Sequence, residues 1–149
     1  MTNNPKGVDR IELAARRSGY ANEFRYRTRG QSLFNGVLLA GAHVLEVGCG
    51  TGAWSLWAAL HGAERVVALE PETDGSTSGT LATLRRAIGM LGLEEKVVAS
   101  EQFLQDLPRQ QRPFDVVVMY DVINHLDEEA VTRLHHDRAA FDRYVAAFQ

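Results

Sequence analysis

Seven consecutive residues, Glu46-Val47-Gly48-Cys49-Gly50-Thr51-Gly52, place three glycines at alternate positions behind a carboxylate. Glycines so spaced permit a tight turn and leave bare backbone that a ligand can approach at the start of a following helix. Gly48, Gly50 and Ala53 also satisfy the G-x-G-x-x-G/A spacing of nucleotide-binding turns. Glu70 stands twenty residues beyond Gly50, where a carboxylate can accept hydrogen bonds from the hydroxyls of a ribose. A turn without a ligand and a solvated strand-end acid are the plainer alternatives; position and residue type together favour an adenosine-containing ligand.

Such residues need a strand before them and a helix after them. HVLEVG at 43–48 is a short β-prone run that stops at glycine, and Trp54, Leu56, Trp57 and Leu60 follow as helix. The unit repeats: RVVALE at 65–70 ends at Pro71, and LATLRRAIGMLGL at 81–93 reads as a helix with Gly92 near its end. KVVAS at 96–100 and FDVVVMY at 114–120 supply two more strands. Ahead of these, Val8, Ile11 and Ala14 or Ala15 mark an amphipathic helix stopped by Gly19, and a second short helix is expected after Ser32. Alternating strands and helices with short connections predict an α/β fold with a parallel sheet covered on both faces. Right-handed crossovers put the carboxyl ends of all four strands on one edge, where an open sheet of this kind binds its ligand.

The chain has 149 residues, 45% apolar and 23% charged, which suits one globular domain rather than a disordered, collagenous or repeat architecture. No apolar run reaches the roughly 18 to 20 residues that cross a bilayer, and MTNNPKGVDR lacks the apolar core of a secretory signal, so a cytoplasmic location is expected. Cys49 is the lone cysteine and permits no internal disulfide. The net charge of -3 is uneven: residues 1–35 hold seven Lys/Arg against three Asp/Glu, and the remainder nine against sixteen. Arg25, Arg27 and Arg29 alternate with Tyr26 and Thr28, a pattern that fits an anion or nucleic acid but more simply a solvated approach to a core. Nucleic acid is the weaker reading. His135 and His136 point about 100° apart on a helix without a completing cluster, so no metal is expected. Trp54 and Trp57 read as core, and Cys49 as a small residue beside the ligand rather than a nucleophile.

Charge helps to separate two ligand classes that share this geometry. A dinucleotide presents an anionic pyrophosphate, whereas S-adenosylmethionine presents a sulfonium, an ammonium and a carboxylate. Residues 44–64 contain no Lys or Arg, while Glu46, Glu70 and Asp121 fall at or near strand ends. That set modestly favours the partly cationic ligand, since a helix terminus alone can hold phosphate.

VLEVGCGTGAWSLWAALHGAERVVALEPE at 44–72 and FDVVVMYDVINHLDEE at 114–129 resemble the first two motifs, and the fourth strand with its following loop, of the class I, Rossmann-like S-adenosylmethionine-dependent methyltransferases. The resemblance implies a three-layer Rossmann-like sandwich with a mainly parallel sheet, strand order 3-2-1-4 here. It further implies S-adenosylmethionine as cofactor, with Gly48, Cys49 and Gly50 against its methionine part, Glu46 supporting that end, and Glu70 holding the ribose. After strand three the stretch is Ser100-Glu101-Gln102-Phe103, where the family's usual Asp is missing. Gln102 or Glu101 would accept from the adenine amino group and Phe103 would pack on its ring. Tyr120 and Asp121 would border the cofactor and the entrance for the acceptor.

Methyl transfer is an in-line displacement at an activated carbon, so alignment and exclusion of water matter more than acid–base chemistry. His125 is the candidate general base, against a structural histidine near a helix start, and Asn124 could orient an acceptor. The loop Asp121-Val122-Ile123-Asn124 lacks the paired prolines of amino-methyltransferases that act on adenine or glutamine amides. After Asp127, a helix cap, two helical segments at 128–135 and 137–148 follow, and nothing supplies the family's strands five to seven. Residues 1–149 are therefore read as a single, incomplete cofactor-binding domain with a helical lead-in at 1–42. Strand four becomes an edge that invites self-association or a partner chain. The expected function is methyl transfer to a small-molecule acceptor, against a non-catalytic nucleotide-binding or assembly module and, more weakly, an NAD-dependent oxidoreductase.

Overall fold

The computed structural model describes residues 9–20, 22–72, 78–108 and 112–122, together with 138, 139 and 142. The chain forms two compact units, 1–118 and 119–149. The first contains helices α1 (Arg10–Arg17), α2 (Glu23–Leu33), α3 (Ala53–Leu60) and α4 (Thr80–Leu91) and strands β1 (His43–Val47), β2 (Arg65–Leu69), β3 (Val97–Ser100) and β4 (Val116–Val118). In the second, Asp121 has a φ of 58°, and Arg138 and Asp142 pair one helical turn apart at 3.1 Å. The segments read as helices at 128–135 and, apart from 138, 139 and 142, at 137–148 lie outside the described residues, as does His125.

The four strands are all parallel in the order β3-β2-β1-β4. This is the α/β, Rossmann-like arrangement expected from the sequence. Strand residues alternate between faces: Val44, Val66, Ala68, Val97 and Val118 join one core with residues of α1, α3 and α4. On the other face Leu45, Val47, Val67 and Leu69 are buried at the centre, while Val98 and Val117 on the rim strands are 43% and 54% exposed. No helix among the described residues is long and apolar enough to cross a membrane.

Two elements differ from the sequence reading. The second helix covers 23–33 and ends where a helix was expected to begin. Asn22 caps it by accepting from the Arg25 N–H at 2.8 Å, and Glu23 sits in its positive first turn. Its buried stripe consists of Tyr26 and Gly30 alone, so counting aliphatic residues misses it. Gly30 is required there, because a Cβ would lie 2.5 Å from the Trp57 ring. The fourth strand is shorter than expected: β4 ladders only three residues against β1. Asp115 sets its start by donating its N–H to the His43 carbonyl at 2.8 Å and accepting the His43 N–H on its carboxylate at 2.8 Å. Among the described residues β4 is an edge of the sheet, and its shortness limits the backbone on offer.

Candidate functional site

Parallel register brings the residues after β1 and β2 side by side. Val47 pairs with Leu69, so Gly48 and Glu70 are the next positions along. The ladder runs on into the turn: the Cys49 N–H donates to the Leu69 carbonyl and the Glu70 N–H to the Ser100 carbonyl, both at 2.9 Å. Gly48, Gly50 and Gly52 take φ values of 66°, 52° and 77°, a region that L side chains enter at a cost of about 1 to 2 kcal/mol. The two later glycines serve different ends. A Cβ on Gly52 would fall inside the Leu84 side chain, whereas one on Gly50 would meet nothing within 4 Å. Gly52 makes room for the Leu84 side chain of α4; Gly50 leaves open space beside bare backbone.

Glu70 is 6% exposed and accepts the Gly50 N–H on Oε2 at 2.6 Å. The structure thus brings the two central sequence predictions into direct contact. A carboxylate offers about four lone-pair positions, and the Gly50 N–H takes one of those of Glu70. Glu46 is 3% exposed and points from β1 into the start of α3, where Oε2 accepts the Ser55 N–H at 2.7 Å and the Ser55 hydroxyl at 2.5 Å. Gly52 has no side chain to cap this helix, so Glu46 takes that part from the neighbouring strand. Burial pushes the Glu46 carboxyl up to about 7, against the lowering effect of the Ser55 bonds, and the nearby Glu70 charge adds to the rise. Cys49 is buried; burial and then the charges of Glu46 and Glu70 raise its thiol far above the usual range, consistent with a space-filling residue rather than a nucleophile.

The lead-in helices are tied to the same corner. Thr51 donates its hydroxyl to the Ser18 carbonyl at the end of α1, at 2.9 Å. Tyr26 of α2 is fully buried, donates its hydroxyl to the Ala53 carbonyl at 2.6 Å, and lies parallel to the Trp54 ring at 5.8 Å and edge-on to Trp57 at 5.4 Å. Sequence reasoning missed the parts played by Ser55, Tyr26 and Glu72. Glu72 accepts the Leu81 N–H at 2.6 Å and the Thr80 hydroxyl at 3.1 Å, anchoring the start of α4, and backbone N–H groups hold its carboxyl below the usual range. A serine in the first turn of a helix that follows glycine was the signal available for Ser55; Glu72, eight residues ahead of α4, carried no such signal.

The end of β3 is looser. The Gln102 side chain accepts the Ser100 hydroxyl at 3.2 Å and its N–H donates back to that oxygen at 3.3 Å; Phe103 is 45% exposed; Glu101 pairs with Arg85 of α4 at 3.1 Å. Tyr120 and Asp121 belong to the second unit, where both are exposed. Among the described residues no group of three or more His, Cys, Asp or Glu could hold a metal.

The family model described as "Methyltransferase domain" matches residues 44–140. The chain belongs to this methyltransferase-domain family. Among curated proteins it is similar to a probable protein arginine N-methyltransferase 3 of Oryza sativa subsp. indica, 41% identical over 78 residues, which are 52% of this chain and 10% of that protein. A protein of the same description from Arabidopsis thaliana is 57% identical over 42 residues, 28% of this chain and 7% of its own. The chain thus spans about a tenth or less of the length of these relatives. Its fold is similar to that of an O-methyltransferase from Bacillus cereus in complex with SAH, with a TM-score of 0.54 and 22% identity over 81% of this chain and 59% of that one. The Trypanosoma brucei PRMT1 enzyme–prozyme heterotetrameric complex with AdoHcy gives a TM-score of 0.53 and 23% identity over 64% of this chain and 28% of that one.

Proposed function

We propose that the chain is the cofactor-binding part of an enzyme that transfers a methyl group from S-adenosylmethionine to a small-molecule acceptor. The observation that carries this reading is the Glu70 carboxylate, almost buried and bonded to the Gly50 N–H, beside a glycine whose Cβ position is open. Bound S-adenosylmethionine supplies a methyl group already activated on a sulfonium. The protein's part is to bind, orient and exclude water. Backbone at Gly48, Cys49 and Gly50 allows close approach of the methionine portion, and Glu70 accepts from the ribose hydroxyls. Glu46 acts on the turn from behind by fixing the start of α3. The family resemblance assigns Gln102 and Phe103 to the adenine, Tyr120 and Asp121 to the border of cofactor and acceptor, and His125 to the part of general base. The buried Glu70 carboxylate, with no lysine or arginine from 44 to 64, favours a partly cationic donor over a dinucleotide.

A second reading of the acceptor comes from the plant relatives, described as probable protein arginine N-methyltransferases: a guanidino nitrogen of a protein. The exposed rim of β4 also suits a second chain, which the reading of an edge strand anticipates. Calorimetry with S-adenosylhomocysteine and with NAD tests the donor. Saturable binding of the homocysteine compound and none of NAD is expected; the reverse would overturn the reading. Transfer of a labelled methyl group into small molecules rather than into an arginine-containing peptide then tests the acceptor.

A further inference from the structure

Glu72 has a φ of 48°, a left-handed conformation that L side chains enter only at a cost and glycine adopts freely. Strained residues of this kind persist where the surrounding structure holds them. What holds Glu72 is its carboxylate. Oε1 accepts the Leu81 N–H at 2.6 Å and the Thr80 hydroxyl at 3.1 Å. Helix α4 follows Gly79, which has no side chain to cap it, so the cap comes from Glu72 much as that of α3 comes from Glu46. Leu81 is buried in the core, which makes its N–H a fixed anchor.

The anchored residue lies two positions beyond Glu70. Before it, the Glu70 N–H is tied to the Ser100 carbonyl at the end of β3, at 2.9 Å. Pro71 comes next, with its φ restricted by its ring, and Glu72 is then tied to α4. The short segment that carries the Glu70 carboxylate is therefore held at both ends. The contacts also close a ring. Glu70 meets Gly50, Gly52 lies against Leu84, and Leu84 is one turn along α4 from Thr80 and Leu81, the two residues that Glu72 holds. We propose that Glu72 is a positioning residue for the donor site: it pins the chain after Glu70 to the start of α4 and so keeps the Glu70 carboxylate directed at the Gly50 N–H. Its bearing on S-adenosylmethionine rests on the reading proposed above, in which Glu70 takes the ribose; its hold on the Glu70–Gly50 bond does not.

Two measurements test the proposal: the NMR position of the Gly50 amide proton without ligand, and calorimetric titration with S-adenosylhomocysteine. Glu72→Ala should move the Gly50 amide proton toward its position in Glu70→Ala and weaken the homocysteine compound about fivefold, as expected when a binding group is no longer held in place. Glu72→Gln, which keeps an oxygen for Leu81, should recover most of both. Glu72→Gly relieves the strain as it removes the anchor, so its melting temperature should stay near that of the wild type while its affinity falls as in Glu72→Ala. A residue that served stability alone would not separate the two. Added to Glu70→Ala, Glu72→Ala should cost less than about twofold more, because there is no longer a carboxylate to position. Ile88→Val, a truncation in the buried face of α4, should leave amide proton and affinity unchanged. An unmoved Gly50 amide proton in Glu72→Ala, wild-type affinity in Glu72→Ala and Glu72→Gly, or a full additive loss on top of Glu70→Ala would overturn the proposal. A Gly50 amide proton that responds to Glu72→Ala in a chain that binds no S-adenosylhomocysteine would instead refute the donor reading and leave the positioning of Glu70 standing.

Discussion

The turn after β1 and the segment after β3 leave the same edge of the same sheet, yet they are prepared to different degrees. Around the first, Glu70 holds the Gly50 N–H, Glu46 holds Ser55, and Thr51 holds the end of α1. After the third strand, Gln102 is bonded, among the described residues, only to Ser100 two residues away, and Phe103 stands half exposed. The first region is tied down by side chains from β1, from the end of β2 and from the turn itself. The second is held by fewer and more local bonds. Groups fixed before binding lose less entropy on binding, so the two regions should respond differently to substitution.

The sharpest contrast lies within the turn itself. Gly52→Ala is expected to destabilise the chain by about 3 kcal/mol, from left-handed backbone strain together with a methyl group forced into Leu84. Gly50→Ala has the strain without the clash and should cost about 1 kcal/mol, yet weaken S-adenosylhomocysteine binding because its methyl occupies the open space. Denaturant melts of the two variants read the difference directly. Equal destabilisation would show that Gly50 is as confined as Gly52, removing the room proposed for a ligand.

Glu46 should make the prepared region sensitive to pH. Its carboxyl is raised by burial from 4.5 to about 7, so between those values the folded chain keeps a proton that the unfolded chain has released. Its contribution to stability is therefore complete below pH 4.5 and falls as pH rises toward 7, by up to about 3 kcal/mol. Glu72 and Asp115 are held below their ordinary values of 4.5 and 3.8, so they act in the opposite sense and at lower pH. Urea melts from pH 4.5 to 7.5 should show the decline, and Glu46→Gln should flatten it. An unchanged slope would place the retained proton elsewhere.

Glu70 separates support of the turn from contact with the donor. Glu70→Ala leaves the Gly50 N–H without its acceptor, at a cost of about 1 to 3 kcal/mol, and should weaken S-adenosylhomocysteine binding more than tenfold. Glu70→Gln keeps an oxygen for Gly50 and should retain most of the stability. It should still weaken binding, because the amide is a poorer acceptor for two hydroxyls. A Gln variant with wild-type affinity would reduce Glu70 to a structural residue.

The difference in preparation also explains what the sequence made readable. A rigid turn on a buried strand demands particular residues at particular spacings, so Gly48 to Gly52 and Glu70 stand out unaided, and the valine-rich strands mark the parallel sheet around them. Glu46 was legible as an acid at the strand end, but not as a cap, because its partner Ser55 becomes its neighbour only when α3 folds back on β1. Helix α2 was hidden for a related reason. Its core contacts come from a tyrosine and a glycine, and only the Trp57 ring against Gly30 reveals why. After β3 there was no such constraint to read: several residue types fit an open segment, and the sequence left Glu101, Gln102 and Phe103 as alternatives.

That openness sets the smallest expected effect. Phe103 is 45% exposed and its side chain lies outside the buried core, so Phe103→Ala should change stability by no more than about 0.5 kcal/mol. Stacking on an adenine would give Phe103 a role only in the bound state, and losing it should weaken S-adenosylhomocysteine binding severalfold while leaving methylthioadenosine weakened in proportion, because both carry the same base. Phe103→Leu, which keeps apolar area without an aromatic face, should recover part of the loss. If Phe103→Ala binds both compounds as the wild type does, the adenine lies elsewhere along 100–103, and Gln102→Ala and Glu101→Ala then locate it by the same two titrations.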